Sequence, residues 1–504
     1  MATVTLVLIG LALVFGLYMA WSIGANDVAN AMGTSVGSGA LTLKRAVILA
    51  AIMEFAGAFF IGPNVSETIR KGIFDPQIFA SEPGMLVLGM LASLLAAAVW
   101  LQLASYFGWP VSTTHSIVGA LVGFGIAYGG WSAIEWGNVS FIVASWFVSP
   151  LLAGAISFCV FWFVLWQIFH RPDPVKSAKQ VTPYMVFVVM LVMMLVLSLK
   201  GLKPFWNDNF GLKPTDSLPL CTGLGVALLA GIVGFAVSRH LVRKVGGDGE
   251  MRSTQIKDQY VSRAINKAIM HLQRVESTAD GEIQQRAIVM LGQAEHLRDE
   301  VATRSEPDGE QSAFGSVERI FIYLQIISAC FVALAHGAND VANAIGPLSV
   351  AVDTARTMQI PDKATVPLWA LGLGSVGIVL GLATWGWRVM QTVGQRITEL
   401  TPSRGFCAEF AAALTILLAS VCKLPISTTH TLVGAVLGVG LARGIRALNL
   451  NTVRDIGISW MVTIPVGAGL TVVFFHLLRL IFSQWLPSSP DIQSMATVIG
   501  LPLA

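Results

Sequence analysis

Charged residues are scarce in this chain. Only 12% of its 504 residues are Asp, Glu, Lys or Arg, while 54% are hydrophobic and the mean hydropathy is +0.70. A soluble globular domain carries about 25% charged residues, so this composition excludes a soluble enzyme and predicts a polytopic membrane protein. The net charge is only +3 and the basic residues stand mainly at the ends of apolar runs, so we expect no nucleic-acid partner.

Several other signals are absent. The cysteines form no Cys-x-x-Cys pair and no histidine-rich spacing is present, so neither a disulfide framework nor a zinc site is indicated. No Lys or Arg precedes Lys44, so the N-terminus lacks the basic region of a signal peptide and is expected to remain as the first span. No nucleotide-binding P-loop is present, so an ATP-driven pump would need a separate subunit.

Long apolar runs are abundant instead. A bilayer core is crossed by about 20 helical residues, and about twelve runs approach that length. They lie at 3–24, 43–62, 84–107, 111–129, 138–168, 182–199, 219–240, 320–336, 365–388, 405–422, 426–445 and 455–484. Two of these runs are overlong and contain Pro150 and Pro465, so each is expected to be kinked or split. The predicted fold is an all-α polytopic membrane protein.

An eight-residue motif occurs twice. Residues 24–31 read Gly-Ala-Asn-Asp-Val-Ala-Asn-Ala, and residues 337–344 repeat these letters after another apolar run. Each octet holds a carboxylate, Asp27 or Asp340, and a charge at that depth costs about 3 kcal/mol or more unless it faces a cavity, a partner or an ion. The octet glycines predict a break in the helix that turns backbone groups inward. The alternative is that small residues only allow two helices to pack closely.

A second motif is also duplicated. Residues 110–115 read Pro-Val-Ser-Thr-Thr-His, and residues 425–430 read Pro-Ile-Ser-Thr-Thr-His, at nearly the same offset as the octets. One five-span unit is therefore present twice, with two spans inserted between the copies. The copies start an odd number of spans apart, so they cross the membrane in opposite senses. Inverted repeats with broken helices are typical of secondary transporters, whose site lies near the midplane between the repeats.

The chain thus divides into five predicted segments. They are a first transmembrane repeat at 1–168, two inserted spans at 169–240, a polar loop with amphipathic helices at 241–319, a second repeat at 320–486 and a C-terminal tail at 487–504. Lys and Arg favour the cytoplasmic ends of spans. Their balance places the polar loop in the cytoplasm and both termini outside a plasma (inner) membrane.

The polar loop carries an apolar stripe at helical spacing, which predicts either a helical hairpin that packs on itself or a regulatory surface. The stripe consists of Tyr260, Ala264, Ile265, Ala268, Ile269, Leu272 and Val275. The glycines at 246–249 and the segment 305–312 are expected to be hinges at its two ends.

The two Ser-Thr-Thr segments predict helix N-termini lined with hydroxyl groups. Free backbone amides, the positive end of the helix dipole and hydroxyl donors together suit an oxyanion, although ordinary helix capping is the alternative. The candidate anion ligands are Ser112, Thr113, Thr114, Ser427, Thr428 and Thr429. His115 and His430, which follow them, could bind a ligand, shuttle protons or satisfy buried hydrogen bonds, and the last role is favoured.

Acids, but no Lys or Arg, lie deep in the predicted spans. Carboxylates alone would repel a phosphate-like anion, so we expect them to hold cations that travel with it. Sodium suits oxygen ligands, while the alternative is that an acid carries a proton. The asparagines on both sides of each octet acid favour sodium. The predicted cation ligands are Asn26, Asp27, Asn30, Asn339, Asp340, Asn343, Glu54 and Glu409.

At these residues the sequence resembles the inorganic phosphate transporter (PiT) family. The resemblance runs through the first hydrophobic half on the octet, residues 37–44, Glu54, residues 67–71 and 110–119. In the second half it runs through Gln325, residues 336–347, Glu409 and residues 425–434. The duplication of both motifs makes it specific.

The resemblance implies secondary uptake of inorganic phosphate with sodium ions or protons, with no cofactor beyond the transported ions. It also implies a homodimer of inverted-repeat chains in the lipid bilayer, and phosphate binding by Asp27 and Asp340 together with the six hydroxyl residues.

Sulfate or arsenate are alternative substrates. A rival class is an intramembrane metal-dependent enzyme with these two acids, His115 and His430 as ligands. It is disfavoured because catalysis seldom needs the same residues in two inverted copies.

Overall fold

A computed structural model gives the fold of the chain. It describes residues 2–62, 72–198, 216–244, 281–303, 309–360, 366–387, 389–390, 400–444 and 450–482, with residues 211, 213, 265, 268–269, 271–273 and 275–277 between them. These residues form α-helices joined by turns, and no β-strand occurs among them.

The first half contains α1 Ala2–Asn26, α2 Val28–Gly37, α3 Leu43–Ile61, α4 Pro83–Phe107, α5 Thr113–Gly129 and α6 Trp136–Val164. The centre contains α7 Pro174–Val196, α8 Ser217–Lys244 and α9 Glu282–Thr303. The second half contains α10 Gly309–Thr357, α11 Leu368–Gly381, α12 Pro402–Val421, α13 Thr428–Arg443 and α14 Leu450–Phe482.

The chain is an all-α, multi-pass membrane protein. Within the described residues, 9 helices are long and apolar enough to cross a membrane. Three further predicted spans fall on α3, α5 and α13, which have 19, 17 and 16 residues. At about 1.5 Å per residue, α5 and α13 are shorter than a hydrocarbon core of about 30 Å. The count of about twelve spans and the repeat architecture stay predictions.

The expected helix breaks at the octets are only partly present. In the first octet, α1 ends at Asn26 and α2 begins at Val28, so the interruption is the single residue Asp27. In the second octet the expected break is wrong, because α10 runs without interruption from Gly309 to Thr357. The overlong runs around Pro150 and Pro465 are likewise not split, since each proline lies inside one helix.

Close helix packing, and not a break in the helix, explains why the second octet begins with the glycine Gly337. A Cβ at Gly337 would lie 2.4 Å from the Glu54 carbonyl oxygen, and a Cβ at Gly57 would lie 2.0 Å from the Leu334 carbonyl oxygen. Helices α3 and α10 therefore touch through their backbones, which only glycine permits. This contact joins the first half of the chain to the second half.

Several other helix contacts in this unit also cross between the two halves of the sequence. Helix α1 packs on α11, α5 packs on α14, and α13 packs on α6. The two halves are thus interleaved, so side chains distant in sequence meet between them. This unit comprises Met1–Val164, Phe187–Ile232 and Ile322–Ala504.

A second compact unit comprises Leu165–Val186 and Val233–Phe321 and includes most of the predicted polar loop. The described residues at 265–277 are helical, with Ile265 and Ile269 buried and Val275 exposed. In the expected hinge at 305–312, residues 309–312 are helical. The rest of that hinge, the glycines at 246–249, Tyr260, Ala264, residues 67–71 and the tail 487–504 lie outside the described residues.

We expect Gly381→Ala to lower stability because its Cβ would lie 1.8 Å from the Trp21 carbonyl oxygen. Overpacking of this kind costs about 1–3 kcal/mol. Gly372→Ala in the same helix is the matched control, because the nearest atom is Phe59 Cε2 at 4.0 Å. The melting midpoint of the detergent-purified protein measures both effects. Equal midpoints for the two variants would contradict a backbone contact between α1 and α11.

Candidate functional site

The two Ser-Thr-Thr segments start helices, as the sequence predicts. Ser112 and Ser427 occupy the position before α5 and α13, and each side-chain oxygen accepts a hydrogen bond from the backbone amide three residues on, at 3.2 Å. This is the N-cap interaction that fixes the start of a helix. Pro110 and Pro425 precede the caps and are not in the first helical turn. The two serines therefore set the position of the threonines that follow.

Asp27 lies between these two helix starts. Its Oδ2 accepts a hydrogen bond from Thr113 Oγ1 at 2.7 Å, and its Oδ1 accepts one from Thr429 Oγ1 at 2.9 Å. Asn30 Nδ2 donates to the same Oδ1 at 3.2 Å, and the Thr113 backbone amide lies 3.4 Å from Oδ2. Donors that the sequence assigned to an oxyanion thus bind an anionic side chain of the protein.

Asp340 is bound in a related way from the other octet. Its Oδ2 accepts from Thr428 Oγ1 at 2.9 Å, and Thr113 Oγ1 lies 3.4 Å from the same oxygen. One hydroxyl thus stands within reach of both octet acids, which are fully buried. Like charges held this close in a low-dielectric site require a counter-charge or a proton.

The octet asparagines fall into two pairs. Asn30 Nδ2 donates to Thr429 Oγ1 at 2.8 Å, and Asn343 Nδ2 donates to Thr114 Oγ1 at 3.2 Å, so these two connect each octet to the helix start in the other half of the chain. Thr114 Oγ1 in turn donates to the Ile426 carbonyl at 3.0 Å.

Asn26 and Asn339 face a different neighbour. Asn26 Nδ2 donates to Ser105 Oγ, and Asn339 Nδ2 donates to Ser420 Oγ, both at 3.0 Å. These contacts are with the C-terminal ends of α4 and α12, each in the same half of the chain as its asparagine. All four predicted asparagines are therefore buried, but only one pair reaches across to the opposite helix start.

Glu409 forms a separate site, which we name the Glu409 pocket after Glu409, Thr34, Ser35, Gln325 and Ser328. Its Oε1 accepts from Thr34 Oγ1 at 2.6 Å, Ser35 Oγ at 2.7 Å and Gln325 Nε2 at 3.1 Å. Its Oε2 accepts from Ser328 Oγ at 2.7 Å. Gly405, one turn earlier on α12, leaves room for Gln325, since a Cβ there would lie 1.9 Å from Gln325 Nε2.

The Glu409 pocket has the composition of a hard-cation site. It gathers a carboxylate and three hydroxyl oxygens, and hydroxyl groups can turn their lone pairs toward a cation. The sequence predicted Glu409 but missed the hydroxyl residues, because Ser and Thr are too common in apolar runs to stand out. Gln325 was marked only by the family resemblance.

Glu54 meets a residue that the site prediction left out. Both carboxylate oxygens of Glu54 lie 2.8 and 2.9 Å from His336 Nδ1. The other ring nitrogen, Nε2, lies 2.9 Å from Asp340 Oδ2. Glu54 is therefore connected to the octet acids through His336. The sequence marked this histidine only by its position directly before the second octet and by its place in residues 336–347, which carry the family resemblance.

The octet acids and His336 together form a compact group of possible ligands. One ligand atom from each of Asp27, Asp340 and His336 lies within 4.8 Å of the others.

His115 and His430 stand apart from this group and pack on aromatic rings. Their ring centroids lie 3.8 Å from Trp146 and 3.4 Å from Trp460, respectively. Neither histidine contributes to the acid group, which disfavours the metal-enzyme arrangement considered above.

Comparison with known proteins decides the family. Residues 23–471 match the model of the Phosphate transporter family, a range that includes both octets and both helix starts. The chain belongs to the phosphate transporter family. The resemblance noted in the sequence is thereby confirmed.

Individual members of the phosphate transporter family align along nearly the whole chain. The inorganic phosphate transporter 2-1, chloroplastic, of Arabidopsis thaliana is 42% identical over 474 residues, covering 94% of this chain and 72% of the plant protein. A putative phosphate permease of Haemophilus influenzae is 40% identical over 477 residues, covering 94% of this chain and 98% of the permease. A solved structure described as the sodium-dependent phosphate transporter is 35% identical, with a TM-score of 0.74, over 94% of this chain and 100% of that chain. These relatives are transporters, so the chain is assigned to transport and not to catalysis.

Proposed function

We propose that this chain takes up inorganic phosphate in symport with sodium ions by alternating access. The observation that carries the proposal is the convergence of both helix starts on the octet acids. Thr113 and Thr429 bind Asp27, and Thr428 binds Asp340. In the described part of the chain, the side chains that contact these acids are threonine, asparagine and histidine. An anion enters such a site only together with cations.

Phosphate is favoured over sulfate by a buried acceptor. Asp340 Oδ1 accepts no hydrogen bond from the described residues. A phosphate monohydrogen dianion carries a hydroxyl that can donate to this oxygen, whereas sulfate carries none. An oxygen of this kind is costly to bury without a donor, so a substrate that donates is preferred. Arsenate shares the hydroxyl and is expected to compete with phosphate.

Sodium is favoured by the oxygen-rich surroundings of the acids. Asn339 Oδ1 and Asn343 Oδ1 also lack a donor among the described residues. Amide oxygens, hydroxyls and carboxylates are the ligands that hard cations take. The solved relative described as sodium-dependent supports the same choice. We assign cations to the octet side chains and to the Glu409 pocket.

Proton coupling is the second candidate. The chain of Glu54, His336 and Asp340 places a carboxylate oxygen 2.8–2.9 Å from each ring nitrogen. The Nδ1 contact is a hydrogen bond, whereas the Nε2 contact lies outside hydrogen-bond geometry and is attractive as an ion pair when the ring is protonated. Buried acid and histidine chains of this type are used for proton relay in transporters.

The placement in the membrane is part of the proposal. We infer a multi-pass plasma (inner) membrane protein that functions as a homodimer, with both termini outside and residues 241–319 in the cytoplasm. The distribution of Lys and Arg at span ends supports this orientation. The interleaved helices of the two halves support alternating access around a site between them.

Replacing sodium with choline tests the coupling ion. We expect phosphate uptake into proteoliposomes to fall at least about tenfold in choline at fixed pH, because cations must offset the charge of the buried acids. Sulfate in excess should leave uptake unchanged, while arsenate should compete. Undiminished uptake in choline that a protonophore abolishes would move the assignment to protons.

A further inference from the structure

The helices that carry the octets make two equivalent crossings. In one, a Cβ at Gly24 would lie 1.9 Å from the Ile378 carbonyl oxygen, where α1 crosses α11. In the other, a Cβ at Gly337 would lie 2.4 Å from the Glu54 carbonyl oxygen, where α10 crosses α3. Gly24 and Gly337 open the two octets, so Ile378 and Glu54 occupy equivalent positions. This equivalence is not visible in the sequence, because the segment between the first octet and Glu54 differs in length from the segment between the second octet and Ile378.

A second pair of contacts gives the same equivalence. A Cβ at Gly381 would lie 1.8 Å from the Trp21 carbonyl oxygen, and a Cβ at Gly57 would lie 2.0 Å from that of Leu334. Trp21 and Leu334 each stand three residues before an octet glycine. In each crossing, therefore, a glycine of either helix lies against a backbone carbonyl of the other helix, at equivalent positions in the two crossings.

The matched positions differ sharply in chemistry. Directly before the octet glycine stands Ile23 in α1 and His336 in α10, and both are buried. The partner position holds Ile378 in one crossing and Glu54 in the other. Two isoleucines in the first crossing thus correspond to a glutamate and a histidine in the second.

The polar pair is not needed to build such a crossing. Desolvating two ionisable groups is expensive, and replacing a buried ion pair by apolar residues is often neutral or stabilising. The first crossing packs isoleucine at both positions at the same close backbone approach. What the pair adds is a contact with the site, because His336 Nε2 lies 2.9 Å from Asp340 Oδ2.

The geometry makes His336 a brace for this acid. His336 and Asp340 lie four residues apart on one face of α10, so the ring reaches the carboxylate along the helix. Glu54 holds the far side of the ring through Nδ1. Among the described residues Asp27 has no such brace, and it is held by threonine and asparagine donors.

We propose that His336 is a positioning residue that, backed by Glu54, fixes the Asp340 carboxylate in the orientation that binds phosphate and its cations. Among the described residues the first octet has no such brace, so the two octet acids are held in place by different partners. The proposal rests on the proposed function only in taking phosphate to bind at Asp340.

The direct test replaces the polar pair by the residues that the other crossing already uses. We expect Glu54→Ile with His336→Ile to fold with a melting midpoint close to that of the wild type, but to raise the phosphate KM at least tenfold. Ile23→Leu with Ile378→Leu at the equivalent positions is the matched control, with an unchanged KM. Uptake is measured in whichever cation supports the wild type. A wild-type KM in the double isoleucine variant would overturn the proposal.

Two isosteric variants decide the question if the double variant does not fold. His336→Asn keeps an amide donor near Nδ1, toward Glu54, whereas His336→Gln places one near Nε2, toward Asp340. A positioning role predicts a KM within about threefold of wild type for His336→Gln and at least tenfold higher for His336→Asn. Equal KM values for the two variants would reject it. Absence of phosphate uptake by the wild type would instead reject the proposed function.

Discussion

Asp27→Asn is expected to reduce phosphate uptake at least about a hundredfold while the protein remains folded. Asparagine keeps the shape of the side chain but removes the charge that attracts cations to the site. It also presents an amide donor where Thr113 or Thr429 now donates to a carboxylate oxygen. Losing a buried charge removes its desolvation cost, so the effect on stability is small compared with the effect on transport.

The experiment compares initial rates of phosphate uptake in proteoliposomes with the size-exclusion profile and melting midpoint of the same preparation. Asp75→Asn is the matched control, because Asp75 caps the short helical turn Pro76–Phe79 and asparagine caps equally well. Asp340→Asn is expected to behave like Asp27→Asn. Wild-type uptake by both octet variants would contradict the role assigned to the octets.

Glu409→Gln is expected to raise the sodium concentration for half-maximal uptake at least about tenfold. The carboxylate is the only acid of the Glu409 pocket, and the hydroxyl and amide groups around it hold a cation weakly without its charge. The phosphate KM at saturating sodium should change little, because among the described residues no hydrogen bond joins the Glu409 pocket to Thr113, Thr428 or the octet acids.

The control for Glu409 lies on the same helix. Thr415 is buried in α12, and its hydroxyl donates only to the Ala411 carbonyl at 2.8 Å. Thr415→Val should therefore leave the sodium dependence unchanged. If Glu409→Gln alters the phosphate KM and not the sodium dependence, this acid belongs to the phosphate site.

The sequence predicted the parts of the site that are duplicated. Two copies of Pro-x-Ser-Thr-Thr-His indicate helix starts, and both helices begin at the threonine after the serine cap. The octet acids were identified because a repeated carboxylate in an apolar run is costly without a function. The duplication in the sequence therefore identified the site residues that occur in both halves of the chain, namely the helix starts and the octet acids.

What is present only once could not be predicted in this way. His336 has Ile23 as its counterpart, and its partner Glu54 lies on a helix of the other half of the chain. Only the folded backbone brings these side chains together. The glycine at the second octet was misinterpreted for the same reason, since a glycine that permits helix contact and one that permits a break read alike in sequence.

The central claim is that phosphate and sodium cross the membrane together through the site of the octet acids. Simultaneous uptake of radioactive sodium and radioactive phosphate into proteoliposomes, with the membrane voltage clamped by a potassium ionophore, tests it most directly. We predict that phosphate stimulates sodium entry, that sodium stimulates phosphate entry, and that Asp27→Asn abolishes both effects. Phosphate entry that proceeds equally with and without sodium, or phosphate-stimulated sodium entry that survives Asp27→Asn, would contradict the account.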